Sequence, residues 1–175
     1  MARKEESQEA REDSGQEKEI NMEKLAHSPL EKILDRTEAI ITYSPLRTEV
    51  PFAEYIPEYV KRYKAKEVYC IPPRAGILPE EESTAALRAA AGKQVAIFIP
   101  GKCFDTTGTR HGQGGGWYDR FLTLVPREWL RIGFCFDKQF SETPIPRESW
   151  DQVMDVVCVA GEKTKLLHVV SCPHD

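Results

Sequence analysis

Apolar positions along the chain alternate between short unbroken runs and segments with helical spacing. The runs are residues 39–43 (AIITY), 67–71 (EVYCI), 94–100 (QVAIFIP), 131–136 (RIGFCF) and the end of 152–160 (QVMDVVCVA). Bounded by turn residues, they read as strands, and QVAIFIP is continuous enough to be buried on both faces. Between them lie helical patterns. Residues 28–36 predict a short amphipathic helix with Ser28 as N-cap, Pro29 at the first position, and Leu30, Ile33 and Leu34 as its buried stripe. Residues 52–63 carry apolar or aromatic side chains at 52, 55, 56, 59, 60 and 63, with Pro57 marking a kink or restart. An Ala-rich helix is expected over 84–91, closed by Gly92. Trp117, Phe121 and Val125 start another helix, and residues 165–170 (KLLHVV) suit a short edge strand.

Strands alternating with helices in this way predict an α/β fold, a three-layer sandwich with a mostly parallel central sheet. Ligands of such folds sit at the carboxyl ends of the strands. Three loops that each follow a strand, residues 45–49, 72–77 and 101–116, should therefore converge on one edge.

Composition changes this picture at the ends only. Residues 1–24 contain no aromatic and almost no apolar side chain, so they are expected to be a charged, disordered tail. Residues 25–175 then form a single domain. A net charge of −4 argues against nucleic acid as a partner, and no apolar run approaches the length of a membrane span. Five cysteines without a C-x-x-C pair suit reduced thiols in a cytoplasmic protein rather than a disulfide framework or a zinc site.

Candidate chemistry concentrates in one stretch, residues 101–122 (GKCFDTTGTRHGQGGGWYDRFL), which holds six of the eleven glycines. A strand, a glycine-dense loop and a helix form a phosphate cradle, because glycine admits close approach and the helix start offers N–H groups and the positive dipole end. Arg110 and His111 supply cations on entry, and Asp119 a carboxylate on exit. The Walker A triplet is absent, and a dinucleotide G-x-G-x-x-G read from Gly112 fails at Trp117.

A longer pattern fits. Pro100, Gly101, Phe104, Asp105, Gly108, Arg110, His111, Gly112, Gly114, Gly116, Trp117, Tyr118 and Asp119 resemble the signature of the 5-formyltetrahydrofolate cyclo-ligase (methenyltetrahydrofolate synthetase) family, Pro-Gly-x-x-Phe-Asp followed by Gly-x-Arg-Leu-Gly-x-Gly-x-Gly-Tyr-Tyr-Asp. RIGFCFDKQ, PIPRESWDQVMDVVCVAG and IITYSPLRTEV are similar to flanking family segments in the same order, so the resemblance covers residues 37–161. It implies an enzyme that uses ATP and Mg²⁺ to turn 5-formyltetrahydrofolate into 5,10-methenyltetrahydrofolate through phosphorylation of the formyl oxygen. On that resemblance Arg110, His111 and the backbone of Gly112, Gln113, Gly114, Gly115 and Gly116 hold phosphate, joined by Trp117, Tyr118 and Asp119. Asp119 and Asp155 would bind Mg²⁺. Glu49, with Arg110, has a catalytic role near the formyl group, and Trp117 and Tyr118 shape the folate pocket. Asp105 is expected only to fix the turn before Gly108. The implied partners are a reduced folate and ATP, acting on a monomer.

Three departures accompany the match. The family's first helix carries a Lys-x-x-x-Arg pattern, whereas Lys4 and Arg11 here stand in a segment without an apolar stripe. The family's excursion after the second strand, with its hairpin over the pteridine, is reduced to residues 73–82. His111 replaces leucine and Trp117 the first tyrosine. Two alternatives to the cyclo-ligase thus stay open: a nucleotide-dependent enzyme acting on a smaller acceptor, and a binding or regulatory relative.

Overall fold

The computed structural model describes residues 29–56, 59–162 and 167–173; the expected tail and the Ser28 cap lie outside them. The chain runs α1 (Pro29–Arg36), β1 (Ala39–Tyr43), α2 (Phe52–Tyr55), a π-helical turn (Tyr59–Tyr63) and a 3₁₀ turn (Lys64–Lys66) into β2 (Glu67–Ile71). Then follow α3 (Pro79–Ala89), β3 (Val95–Pro100), β4 (Cys103–Asp105), β5 (Arg110–His111), α4 (Trp117–Leu124) and β6 (Leu130–Phe136). A 3₁₀ turn (Asp137–Gln139), β7 (Phe140–Ser141), β8 (Val156–Ala160) and β9 (Leu167–Ser171) complete it.

A six-stranded sheet has the order β2-β1-β3-β6-β8-β9. All its pairings are parallel except that of the edge strand β9 with β8. Every residue of β1, β3 and β8 is buried, as unbroken apolar runs require. Burial of Ile97, Phe98 and Ile99 stabilises by about 2 kcal/mol per side chain. Right-handed crossovers put α3 and α4 on one face, since both connections move the same way along the sheet, and the β1–β2 connection on the other. The contacts agree. Helix α3 packs on α4. On the opposite side Tyr63 donates from its hydroxyl to Asp35 of α1 at 2.9 Å, and Lys66 donates to the carbonyl of Leu34. The expected mostly parallel sheet between helical layers is therefore present.

Three local expectations shift. Helix α3 begins at Pro79 rather than near 84, with Pro at its first turn followed by Glu80, Glu81 and Glu82 at the positive dipole end. It ends at Ala89 with Ala90 as C-cap, and Gly92 takes its positive φ of 71° two residues later. The stretch after β3 is also not one open loop. It folds into β4 and β5, which join β7 in a second three-stranded sheet of order β5-β4-β7. Phe104 of β4 is fully buried against β6, where a Cβ on Gly133 would lie 2.5 Å from its ring. Only glycine at 133 admits that contact.

Candidate functional site

Strands β1, β2 and β3 end on the same edge of the sheet, and the loops leaving them meet as expected. They enclose a cavity of about 770 Å³ lined by Glu49 after β1, Arg74 after β2, and Gly101 with residues 110–120 after β3. A fourth wall comes from Glu148, Trp150 and Asp151, on the segment that leads toward β8.

Arg110 organises the glycine loop. It is buried, donates from Nη2 to Asp119 Oδ2 at 2.7 Å, and its Nε has no hydrogen-bond partner. Burial pushes its pKa down and Asp119 pushes it up, but an arginine remains charged. The guanidinium lies so close to the chain that a Cβ on Gly112 would stand 2.6 Å from Nη1, so glycine at 112 is a condition for this packing. Helix α4 starts from Gly116 in the left-handed region at φ 61° with no side-chain cap. The N–H groups of its first turn thus have no intrahelical acceptor and border the cavity. Asp119 also accepts from the N–H of Gln152 at 3.0 Å, which ties α4 to the fourth wall.

Glu49 is buried in the same cavity. Its Oε1 accepts from Arg74 Nη2 at 2.6 Å and its Oε2 from the N–H of Leu46 at 2.9 Å. Arg74 stands 4.9 Å from the centre of the Tyr118 ring, and Arg110 stands 5.6 Å from it. Two guanidiniums therefore flank one buried phenol. Burial raises the pKa of Tyr118 well above its ordinary value, while Arg74 opposes the shift, so the hydroxyl stays protonated. The loop bearing Arg74 stands out in the sequence, but nothing there gives that side chain a role; its partner Glu49 lies 25 residues earlier and no periodicity links them.

The other expected residues divide. Gly112, Gln113, Gly114, Gly115 and Gly116 all line the cavity. Trp117 lines it too, but its Nε1 donates to the carbonyl of Ile77 at 2.8 Å and its ring stacks on Phe121 at 5.5 Å, so it also braces α4. His111 Nε2 donates to the carbonyl of Pro146 at 2.6 Å, which commits that nitrogen to the fourth wall rather than to a phosphate. Asp105 behaves as expected of a turn residue. Its Oδ1 accepts from the N–H and hydroxyl of Thr107 and the N–H of Thr109, and its Oδ2 from the N–H of Ile145. Burial alone would raise its pKa; those hydrogen bonds outweigh it and hold the carboxyl below 3.8.

Asp155 is not brought to this cavity. It stands one residue before β8, at the amino end of the parallel strands. Its Oδ2 accepts from the backbone N–H of Arg131 and its Oδ1 from Arg127 Nη2, both at 2.7 Å. The expected pairing of Asp119 with Asp155 around one cation does not follow from this geometry. Among the described residues no group of three His, Cys, Asp or Glu side chains is placed to hold a metal unaided. Asp119 beside the glycine loop, with Asp151 lining the same cavity, does fit Mg²⁺, which takes one or two carboxylates and completes its shell with phosphate oxygens and water.

Comparison with known proteins places this arrangement. The family model described as 5-formyltetrahydrofolate cyclo-ligase matches residues 20–160. A Mycoplasma pneumoniae 5-formyltetrahydrofolate cyclo-ligase is 27% identical over 121 residues, 67% of this chain and 70% of that protein. A Mycoplasma genitalium protein of the same name is 35% identical over 65 residues, 37% of this chain, and the match spans only 38% of the relative's length. The NMR structure of Aquifex aeolicus 5,10-methenyltetrahydrofolate synthetase shares the fold with a TM-score of 0.52 at 23% identity, covering 89% of this chain and 79% of that one. With four-fifths of its length inside the family model and the glycine loop at the centre of its cavity, this chain belongs to the 5-formyltetrahydrofolate cyclo-ligase family.

Proposed function

We propose that the protein converts 5-formyltetrahydrofolate to 5,10-methenyltetrahydrofolate with the consumption of ATP. The observation that carries this reading is the pairing of a buried Arg110 with Asp119 at the mouth of an open glycine loop, in a chain of this family. The γ-phosphoryl group passes to the formyl oxygen, the neighbouring folate nitrogen closes the ring on the formyl carbon, and that oxygen departs with phosphate. The protein's task in such a transfer is to position two substrates and neutralise charge. Arg110 and the N–H groups from Gly112 to the start of α4 hold the phosphates. Arg74 supplies a second cation, and through it Glu49 is fixed beside the acceptor. Asp119 would hold Mg²⁺, which supplies further charge neutralisation on the phosphates. Free thiols at Cys70, Cys103, Cys135, Cys158 and Cys172 suit a cytoplasmic setting.

The test is spectroscopic. The protein mixed with 5-formyltetrahydrofolate, Mg²⁺ and ATP should develop the absorbance of methenyltetrahydrofolate. ATP binding without that signal would refute the folate half and move the acceptor to another small molecule.

A further inference from the structure

The cavity has one aromatic face that neither the fold nor the reading above uses. Trp150 is 66% exposed, more than any other large hydrophobic side chain among the described residues, and it lines the cavity. The remaining aromatics of the cavity wall are engaged. Trp117 lies on Phe121 with its Nε1 bound to Ile77, and Tyr118 is buried between Arg74 and Arg110.

The segment that presents Trp150 is built rather than loose. It is tied on one side by Ile145 N–H to Asp105 and by Pro146 O to His111. On the other, Gln152 donates its N–H to Asp119 and its Nε2 to the carbonyl of Trp150. Gln152 Oε1 in turn accepts from Arg131 Nη1 at 2.9 Å, and Arg131 is wholly buried with its Nη2 on the carbonyl of Leu122. An indole left in water on such an anchored segment forgoes burial that a flat ligand would restore.

Two of the cavity's carboxylates are already paired with cations, Glu49 with Arg74 and Asp119 with Arg110, and Glu148 lines the wall two residues before Trp150. We infer that Trp150 is the stacking platform for the planar nitrogen heterocycle of a ligand of this cavity, a purine or a pterin ring carrying an amino group toward Glu148. This inference rests on the function proposed above.

Equilibrium calorimetry on the full chain tests it, with ADP and Mg²⁺ in one arm and 5-formyltetrahydrofolate alone in the other. Trp150→Ala should weaken at least one ligand by about tenfold, the loss of one base–aromatic stack, and Trp150→Phe should retain most of that affinity. The arm that weakens identifies the ring. Unchanged affinity of Trp150→Ala for both ligands overturns the platform and leaves the function standing. An equal loss in both variants also overturns it, because stacking would survive in phenylalanine. A wild-type protein that binds neither ligand overturns the function and the platform together.

Discussion

Two aspartate–arginine pairs of identical length stand at opposite ends of the parallel strands. Arg110–Asp119 and Arg127–Asp155 both close at 2.7 Å. The first joins a side chain that is 3% exposed to a carboxylate lining the cavity, and the second joins one that is 49% exposed to a carboxylate that also accepts the N–H of Arg131 in β6. An ion pair's length therefore says little about its use. What surrounds it decides: a glycine loop with open helix N–H groups in one case, a strand start and its neighbour in the other.

The comparison can be broken by substitution. The largest effect belongs to Arg110→Ala. Removing the buried cation takes a charge from the phosphates and leaves Asp119 without its partner. Turnover should fall at least a hundredfold, and unfolding free energy by about 3 kcal/mol, measured by product absorbance and urea titration. Next is Asp119→Asn. It keeps the shape and removes the negative charge, so turnover should again fall about a hundredfold while stability drops by about 2 kcal/mol, because Arg110 stays buried beside a neutral acceptor. Asp155→Asn sharpens the contrast. It should cost about 1 kcal/mol of stability and leave turnover within about threefold of wild type. A loss matching that of Asp119→Asn would return Asp155 to the metal site and erase the distinction drawn here.

The smallest effect is one of pH and concerns Asp105, a turn carboxylate with no part in either pair. Its native pKa lies below the ordinary 3.8, so it contributes stability above that value and loses it as the pH falls through the lower native pKa. Acid unfolding followed with Asp105→Asn should show the gap between wild type and variant narrowing as the pH drops below 3.8.

Much of this was legible in the chain. Unbroken apolar runs such as VAIFIP, short and rich in β-branched residues, read as buried strands, and strand–loop punctuation was enough to gather Glu49, the Arg74 loop and the glycine stretch on one edge. The failures share a cause. Strands β4, β5 and β7 span two or three residues, too few to show a period. Asp155 in VMDVV looks the same to pattern reading whether it opens a strand or lies within it, and only the N–H of Arg131 decides the matter. Arg74 and Trp150 draw their meaning from partners and surroundings far away in sequence. The start of α3 was readable, since Pro79 followed by three glutamates is a helix-opening signal, but the alanines beyond it drew the boundary too late.

The ring of Phe104 over Gly133 has a consequence for motion. It pins the foot of the glycine loop to the middle of the central sheet, so the amides of β4 should exchange only when that sheet opens. At Gly114, Gly115 and Gly116 the chain is bare instead; a Cβ added at any of them would meet nothing within 4 Å. The loop is thus anchored at its foot and open at its rim, where backbone N–H groups can be approached without displacing a side chain.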